Sequence, residues 1–267
     1  MLASTSVDAV PERFPYLDHG GVLAFAHRGG SSRWPENTMP SFQDSIDLGY
    51  RYLETDVHLS ADDVLFAFHD HNLLARTGVN ANIADLDAAE IDRLLVDEMA
   101  PIPRLADVFL TWPFARLNID TKSDATVLPL IASIRAHGAI DRVCVGSFVD
   151  RRIKMCRQEL GPALCTSMGK FEVASLWLAA RGLSDTERII APCAQVPPRK
   201  GIDVVDTALV EVAHDLGIQV HVWTIDEPDQ MRALLDIDVD GIMTDQPRIL
   251  RDVLINRGVW APEGVLR

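Results

Sequence analysis

Gly21-Val22-Leu23-Ala24-Phe25-Ala26-His27-Arg28-Gly29-Gly30, then Tyr50-Arg51-Tyr52-Leu53-Glu54-Thr55-Asp56-Val57, then Val64-Leu65-Phe66-Ala67-Phe68-His69-Asp70: these three runs decide the fold. Each is a short apolar segment that ends in ionisable residues, the pattern of a buried strand whose last residues meet solvent. α/β enzymes keep their chemistry at such carboxyl ends. The second run continues as a strand to about Leu59, so only Ser60 to Asp63 separates it from the third, whereas a parallel crossover needs a dozen residues or more; these two therefore form an antiparallel hairpin. With its turn near Ser60 to Asp63, the hairpin pairs Val57 with Phe66 and returns His69 towards Glu54 and Asp56.

Working outward, a helix follows the first strand, with Asn37 as its N-cap, Pro40 in the first turn and Gly49 as its end. Residues 71–113 form an excursion, a polar loop followed by a helix opened by Asp87-x-x-Glu90, which has capping-box spacing. Regular alternation then begins. Strand-like runs at Arg116–Asp120, Arg142–Ser147, Ala163–Thr166, Ile189–Pro192, Ile218–Trp223 and Gly241–Thr244 each precede a helical pattern. With the first two strands this makes eight, the count of a (β/α)8 TIM barrel, here carrying an antiparallel β-hairpin after strand 2 and a small inserted segment. The expected organisation is a loose N-terminal extension, 1–20, and one barrel domain, 21–260. In a barrel all strand ends share one rim, which would gather His27, Arg28, Glu54, Asp56, Asp120, Lys122, Ser147, Trp223, Asp226 and Asp245, with Gln195 in a long loop.

The chain has 267 residues, 48% of them hydrophobic, enough for one large core, and its formal net charge is −14. Nucleic acids are bound by basic surfaces, so that charge argues against them as partners, and it opposes stable association with anionic membranes. Cys144, Cys156, Cys165 and Cys193 show no C-x-x-C spacing and read as buried reduced thiols. Neither a secretory signal nor a run of about 18 apolar residues is visible, so a cytoplasmic protein is expected. Monomer and homodimer both remain open.

Glu54 and Asp56 stand two apart on one strand and therefore face one side, where two carboxylates can grip a hard cation; Asp120 ends a neighbouring strand. Oxygen-only ligation suits Mg²⁺ or Ca²⁺ better than zinc. The alternative is that these carboxylates pair with Arg28 or Lys122. His27 and His69 are candidate acid and base, or core histidines satisfied by backbone. His58 reads as a solvent-facing decoy on the hairpin. Arg28, next to Gly29-Gly30, and Lys122 are candidate anion contacts, Trp223 is a candidate substrate wall, and the stretch from Phe171 to Ala180 reads as ordinary helix packing.

His27-Arg28-Gly29, Pro35-Glu36-Asn37-Thr38, Glu54-Thr55-Asp56-Val57, Phe68-His69-Asp70, Asn118-Ile119-Asp120-Thr121-Lys122 and Val222-Trp223-Thr224-Ile225-Asp226, in that order, resemble the motifs of the glycerophosphodiester phosphodiesterase family. The resemblance runs from Ala26 to Asp245. It implies a TIM barrel and metal-dependent hydrolysis of small glycerophosphodiesters to sn-glycerol 3-phosphate and an alcohol, in the metabolism of phospholipid-derived glycerol. By position it makes His27 and His69 the acid/base pair, Glu54, Asp56 and Asp120 the ligands of Mg²⁺ or Ca²⁺, Arg28 and Lys122 the phosphate contacts, and Trp223 a substrate wall. The family usually has Glu where Asp120 stands, so this shorter side chain is expected to reach a metal through water or a shifted backbone. A lysophospholipid-specific phospholipase D is the nearest rival, with the loop from Cys193 to Asp206, including Arg199 and Lys200, as the specificity element. A metal-dependent amidohydrolase and a non-catalytic phosphate-binding barrel are the readings from other classes.

Overall fold

Short apolar runs punctuated by Gly, Pro and Asp give short strands and capped helices, and their order is strictly alternating over most of the chain. The structure, a computed structural model, describes residues 14–199, 201 and 203–260. In chain order the elements are β1 (Leu23–Ala26), α1 (Met39–Asp47), β2 (Tyr52–Leu59), β3 (Leu65–Ala67), α2 (Leu74–Thr77), α3 (Ala88–Ile91), β4 (Leu95–Val96), β5 (Ala100–Pro101) and α4 (Leu105–Thr111). There follow β6 (Arg116–Thr121), α5 (Val127–Ala136), β7 (Val143–Gly146), α6 (Asp150–Leu160), β8 (Cys165–Thr166), α7 (Lys170–Ala179), β9 (Cys193–Val196), α8 (Thr207–Asp215), β10 (Gln219–Val222), α9 (Pro228–Asp236), β11 (Gly241–Thr244) and α10 (Pro247–Arg257).

Eight parallel strands run in the order β8-β7-β6-β2-β1-β11-β10-β9, the expected (β/α)8 barrel. Its closure is thin. Between β8 and β9 there is a single parallel bridge, Ser167 to Cys193, in place of a ladder. Outward-facing Leu117, Ile119, Val145, Val220 and Ile242 pack against the helix faces carried by Leu130, Ile134, Leu209, Leu234 and Leu250. Inside the barrel, Leu23, Phe25, Tyr52, Cys144, Cys165, Cys193 and Met243 form a second cluster. Within the stretch read as a loose extension, Pro15–Leu17 make a turn whose Tyr16 and Leu17 are buried in that same cluster. The excursion after the hairpin has a small core of its own, including Phe66, Phe68, Leu73, Ile83, Ile91 and Ile102. α4 instead packs on the barrel core through Leu105, Val108 and Phe109.

The hairpin forms, but one residue out of the expected register: Val57 stands opposite Ala67, and His58 opposite Phe66. Ser60 explains the shift. Its N–H bonds the Val64 carbonyl at 2.9 Å and its hydroxyl accepts the Val64 N–H at 2.9 Å, so three residues, ending in Asp63 at φ 64°, make the turn. The cap of α1 is also displaced. Thr38 caps it, its hydroxyl accepting the Ser41 N–H at 3.3 Å, while Asn37 sits just outside at φ 54°.

β9 lies four residues beyond the expected Ile189–Pro192. Glu172 Oε1 takes the N–H groups of Ile190 and Ala191, at 3.0 and 3.1 Å, and Pro192 has none to give, so a sheet ladder can start only at Cys193. This puts Gln195 on a strand rather than in a loop. All four cysteines are free and buried, as read from the sequence. Among the described residues, no helix is long and apolar enough to cross a membrane.

Candidate active site

The polar residues at the strand ends surround one cavity of about 900 Å³. Its floor includes His27, Arg28, Glu54, Asp56, His69, Asp120 and Lys122, and its wall includes Trp223, so these eight candidates border the same space, while Asp226 and Asp245 are not among its lining. His27–Gly29 form a tight turn directly after β1, with Arg28 at φ 52° and Gly29 at φ 80°. No side chain fits at Gly29, because a Cβ there would lie 2.5 Å from Ser41 Oγ and 2.7 Å from the Phe42 ring. The turn aims the Arg28 N–H at Glu54 Oε2, 3.0 Å away. Its guanidinium reaches Glu36 at 3.0 Å and, through Nε, Asp56 Oδ2 at 3.3 Å.

β2 and β6 run in register, Asp56 beside Asp120 and Glu54 beside Asn118. Lys122 Nζ bridges the first pair, 2.7 Å from Asp56 Oδ1 and 2.8 Å from Asp120 Oδ2. Burial pushes the Glu54 pKa up to about 7, and the neighbouring Asp56 charge adds to this. Burial opposes ionisation of Asp56 too, but the Lys122 and Arg28 charges outweigh it and hold that carboxyl below its usual range. Asp120 is raised, burial outweighing Lys122. Two adjacent carboxylates thus differ sharply because the cations sit on one of them.

Each histidine is held by a carboxylate at Nδ1: His27 by Asp245 Oδ1 at 2.7 Å and His69 by Asp70 Oδ1 at 2.7 Å. His27 Nε2 lies 3.8 Å from Glu54 Oε2. Burial disfavours the His27 cation, but Glu54 and Asp245 prevail and its pKa is raised. Asp245 is itself fixed by Asp226, whose Oδ1 accepts the Asp245 N–H at 2.8 Å. His58 is buried rather than solvent-facing: its Nε2 lies 3.0 Å from the His69 carbonyl, and burial drives its pKa down to about 4. It props the backbone of His69 and does not border the cavity.

Sequence reasoning left Asn37 as a cap. It is fully buried instead, its amide 3.4 Å from Asp56 Oδ2 and its carbonyl accepting the Thr55 hydroxyl at 2.7 Å. Its position beside Glu36 was the available signal, since two consecutive polar residues before a Thr cap exceed what a cap needs. The upper wall differs from expectation. Phe148, Met168, Val173, Ala174, Trp177, Leu178 and other apolar residues line it, so α7 is a cavity wall and not simple core packing. Arg199 also borders the cavity; Lys200, named with it in the loop, lies outside the described residues.

The floor suits a hard cation in its donor chemistry: oxygen ligands only, buried, with ionisation of Glu54 held back by burial and by the neighbouring Asp56 charge. Three donor atoms are not already drawn together there. Among the described residues, the group of three possible ligands within 4.8 Å of one another is Cys144, Cys165 and Cys193.

The model of the glycerophosphoryl diester phosphodiesterase family matches residues 27–249. The chain belongs to that family. A Mycobacterium tuberculosis relative named probable glycerophosphodiester phosphodiesterase 2 is 40% identical over 252 residues, covering 92% of this chain and 95% of its own. Lysophospholipase D GDPD1 of Mus musculus is 28% identical, covering 86% of this chain and 85% of its own. The crystal structure of a Silicibacter pomeroyi protein superimposes with a TM-score of 0.78 at 26% identity, over 93% of this chain and all of that one. In this member of the glycerophosphoryl diester phosphodiesterase family Asp120 stands beside Asp56 on the neighbouring strand, and Lys122 holds it.

Proposed function

We propose that this protein hydrolyses glycerophosphodiesters to sn-glycerol 3-phosphate and an alcohol, with His27 and His69 as its acid/base pair and a divalent cation, Mg²⁺ or Ca²⁺, on Glu54 and Asp56. The observation that carries the reading is the pair of carboxylate-held imidazoles bordering one cavity with two cations and a buried carboxylate cluster. Fixing Nδ1 on Asp245 or Asp70 leaves Nε2 of each ring to exchange a proton with substrate.

In this mechanism Arg28 and Lys122 face the phosphate oxygens, and one imidazole takes the proton of the attacking hydroxyl, from water or from the glycerol 2-position. That oxygen bonds to phosphorus as the P–O bond to the alcohol breaks, and the other imidazole gives its proton to the departing alkoxide; when the 2-hydroxyl has attacked, water then opens the cyclic phosphate to glycerol 3-phosphate. The divalent cation, when bound, supplies further stabilisation of charge on the phosphoryl oxygens. Asp120 holds Lys122 in place and stands at the edge of the ligand set. Reliance on a cytoplasmic supply of small diesters completes this reading.

The apolar wall favours a second substrate class. A deacylated diester is small and polar, whereas about 900 Å³ lies near the top of the range for ligand pockets, about 300–1,000 Å³. Val173, Ala174, Trp177 and Leu178 would cover an acyl chain, which supports lysophospholipids as substrates of the same chemistry.

The test is release of glycerol 3-phosphate from glycerophosphocholine and glycerophosphoethanolamine, with EDTA and then with Mg²⁺ or Ca²⁺ restored. A parallel arm measures choline released from lysophosphatidylcholine. Metal-restored turnover of the small diesters supports the first reading, and turnover confined to the lysophospholipid supports the second. Absence of turnover in both arms leaves a phosphate-binding barrel.

A further inference from the structure

Beneath the catalytic floor, consecutive strands each place one cysteine inside the barrel: Cys144 on β7, Cys165 on β8 and Cys193 on β9. Each stands two residues before a floor residue, Gly146, Ser167 and Gln195 respectively, so the thiols form the layer directly below the cavity. Their sulfur atoms all lie within 4.8 Å of one another, and Cys144 and Cys193 are 4.0 Å apart. A metal–sulfur bond of about 2.3 Å in a trigonal site requires sulfurs about 4.0 Å apart.

We propose that these three cysteines bind one thiophilic d10 cation, of the Cu(I), Zn(II) or Cd(II) class, which staples the barrel shut. The position of the triangle supports this. β8 has two residues, and among the described residues the Ser167–Cys193 bridge, the bond from the Met168 N–H to the Cys193 carbonyl at 2.9 Å and the contact of Cys193 Sγ with the Thr166 carbonyl at 3.8 Å hold this seam to β9. Cys165 and Cys193 lie on either side of that seam, and Cys144 backs it from β7. Thiolates select soft ions, so this site and the oxygen-lined floor above would sort cations between them.

The surroundings suit such a site. The thiols share their cluster with Met243, a residue that also borders the cavity and carries a soft thioether. Gly146 puts no side chain above them; a Cβ there would make ordinary contact with Ser167 Oγ at 3.4 Å. Arg157 lies beside β8, bonded to Thr166 Oγ1 at 2.8 Å and ion-paired with Glu172 at 3.0 Å.

The experiment uses the reduced full-length protein under anaerobic conditions, with excess Mg²⁺ occupying the carboxylates. Cu(I), delivered from a chromogenic chelator, and Cd(II) are added in separate titrations and left until the signal is constant. The expected result is one ion per chain with thiolate-to-metal charge-transfer absorption, and a rise in melting temperature. Cys144→Ala and Cys165→Ala should each lose the absorption and the rise, while Cys156→Ala, on α6 and outside the triangle, keeps both. Two single-site variants guard against one failing to fold, each being checked by its own cooperative melt. Absence of the absorption with both ions, or its persistence in a folded variant lacking Cys144 or Cys165, overturns the proposal.

Discussion

His27 Nδ1 lies 2.7 Å from Asp245 Oδ1, joining the end of β1 to the end of β11 across 218 residues of sequence. The two strands are neighbours in the closed sheet, with Ala26 paired to Thr244, so the contact follows from barrel closure. The same contact fixes the ring's tautomer and direction, as the acid/base role proposed for His27 requires.

From that relationship, His27→Ala and His69→Ala should each lower kcat by roughly 10²- to 10⁴-fold with the melt unchanged. Asp245→Asn should also lower kcat and shift the pH profile, leaving KM close to wild type. Steady-state kinetics across pH checks all three, and an unaltered kcat in both His variants would sink the acid/base assignment.

Lys122 is the shared counter-charge of Asp56 and Asp120. Breaking a buried pair by removing one partner typically costs about 3–5 kcal/mol, and Lys122→Met should fall near the lower end because Asp120 keeps some solvent contact. Divalent cation should raise the melting temperature of this variant more than that of wild type, as it replaces the missing charge. Thermal melts with EDTA and with Mg²⁺ test it.

Ala174 opens onto the cavity from α7. Ala174→Trp should fill the apolar end and cut kcat/KM for lysophosphatidylcholine by at least about tenfold, since each buried CH₂ contributes about 0.8 kcal/mol. Turnover of glycerophosphocholine, whose chemistry sits at the polar floor, should change little. Equal losses on both substrates would remove α7 from substrate selection.

His58 gives a pH dependence of stability. Its folded pKa of about 4 lies below the unfolded value of about 6.5, so the unfolded chain binds the proton more readily. The His58 contribution is therefore complete above pH ~6.5 and is lost as pH falls towards ~4, on the order of 3 kcal/mol in all. A cation beside Asp56 acts in the same direction. Chemical denaturation of wild type and His58→Gln at pH 7 and pH 5 should show a steeper loss for wild type.

Periodicity and punctuation settled most of the fold. Apolar runs of four to eight residues alternating with capped helical patterns admit few arrangements, and the short link from Leu59 to Val64 allows only a hairpin. Register escaped because it depends on how many residues the turn consumes, and the bonds that decide this are made by the N–H and the hydroxyl of one residue, Ser60. β9 escaped because Glu172, on α7, claims the backbone donors of Ile190 and Ala191. No local pattern records a partner that distant.

By itself the sequence determined the inventory: the barrel class, the two histidines, the carboxylates, the cations and the strand ends that carry them. Residue type and period are local properties, so they can be read along the chain. Tertiary structure alone decided which charges meet, that Lys122 and Arg28 fall on Asp56 while Glu54 is pushed up to about 7, and that Asp245 holds His27. It also turned α7 into a cavity wall and brought three thiols to one seam. Those outcomes depend on distance and burial, which arise only when the strands close into a barrel.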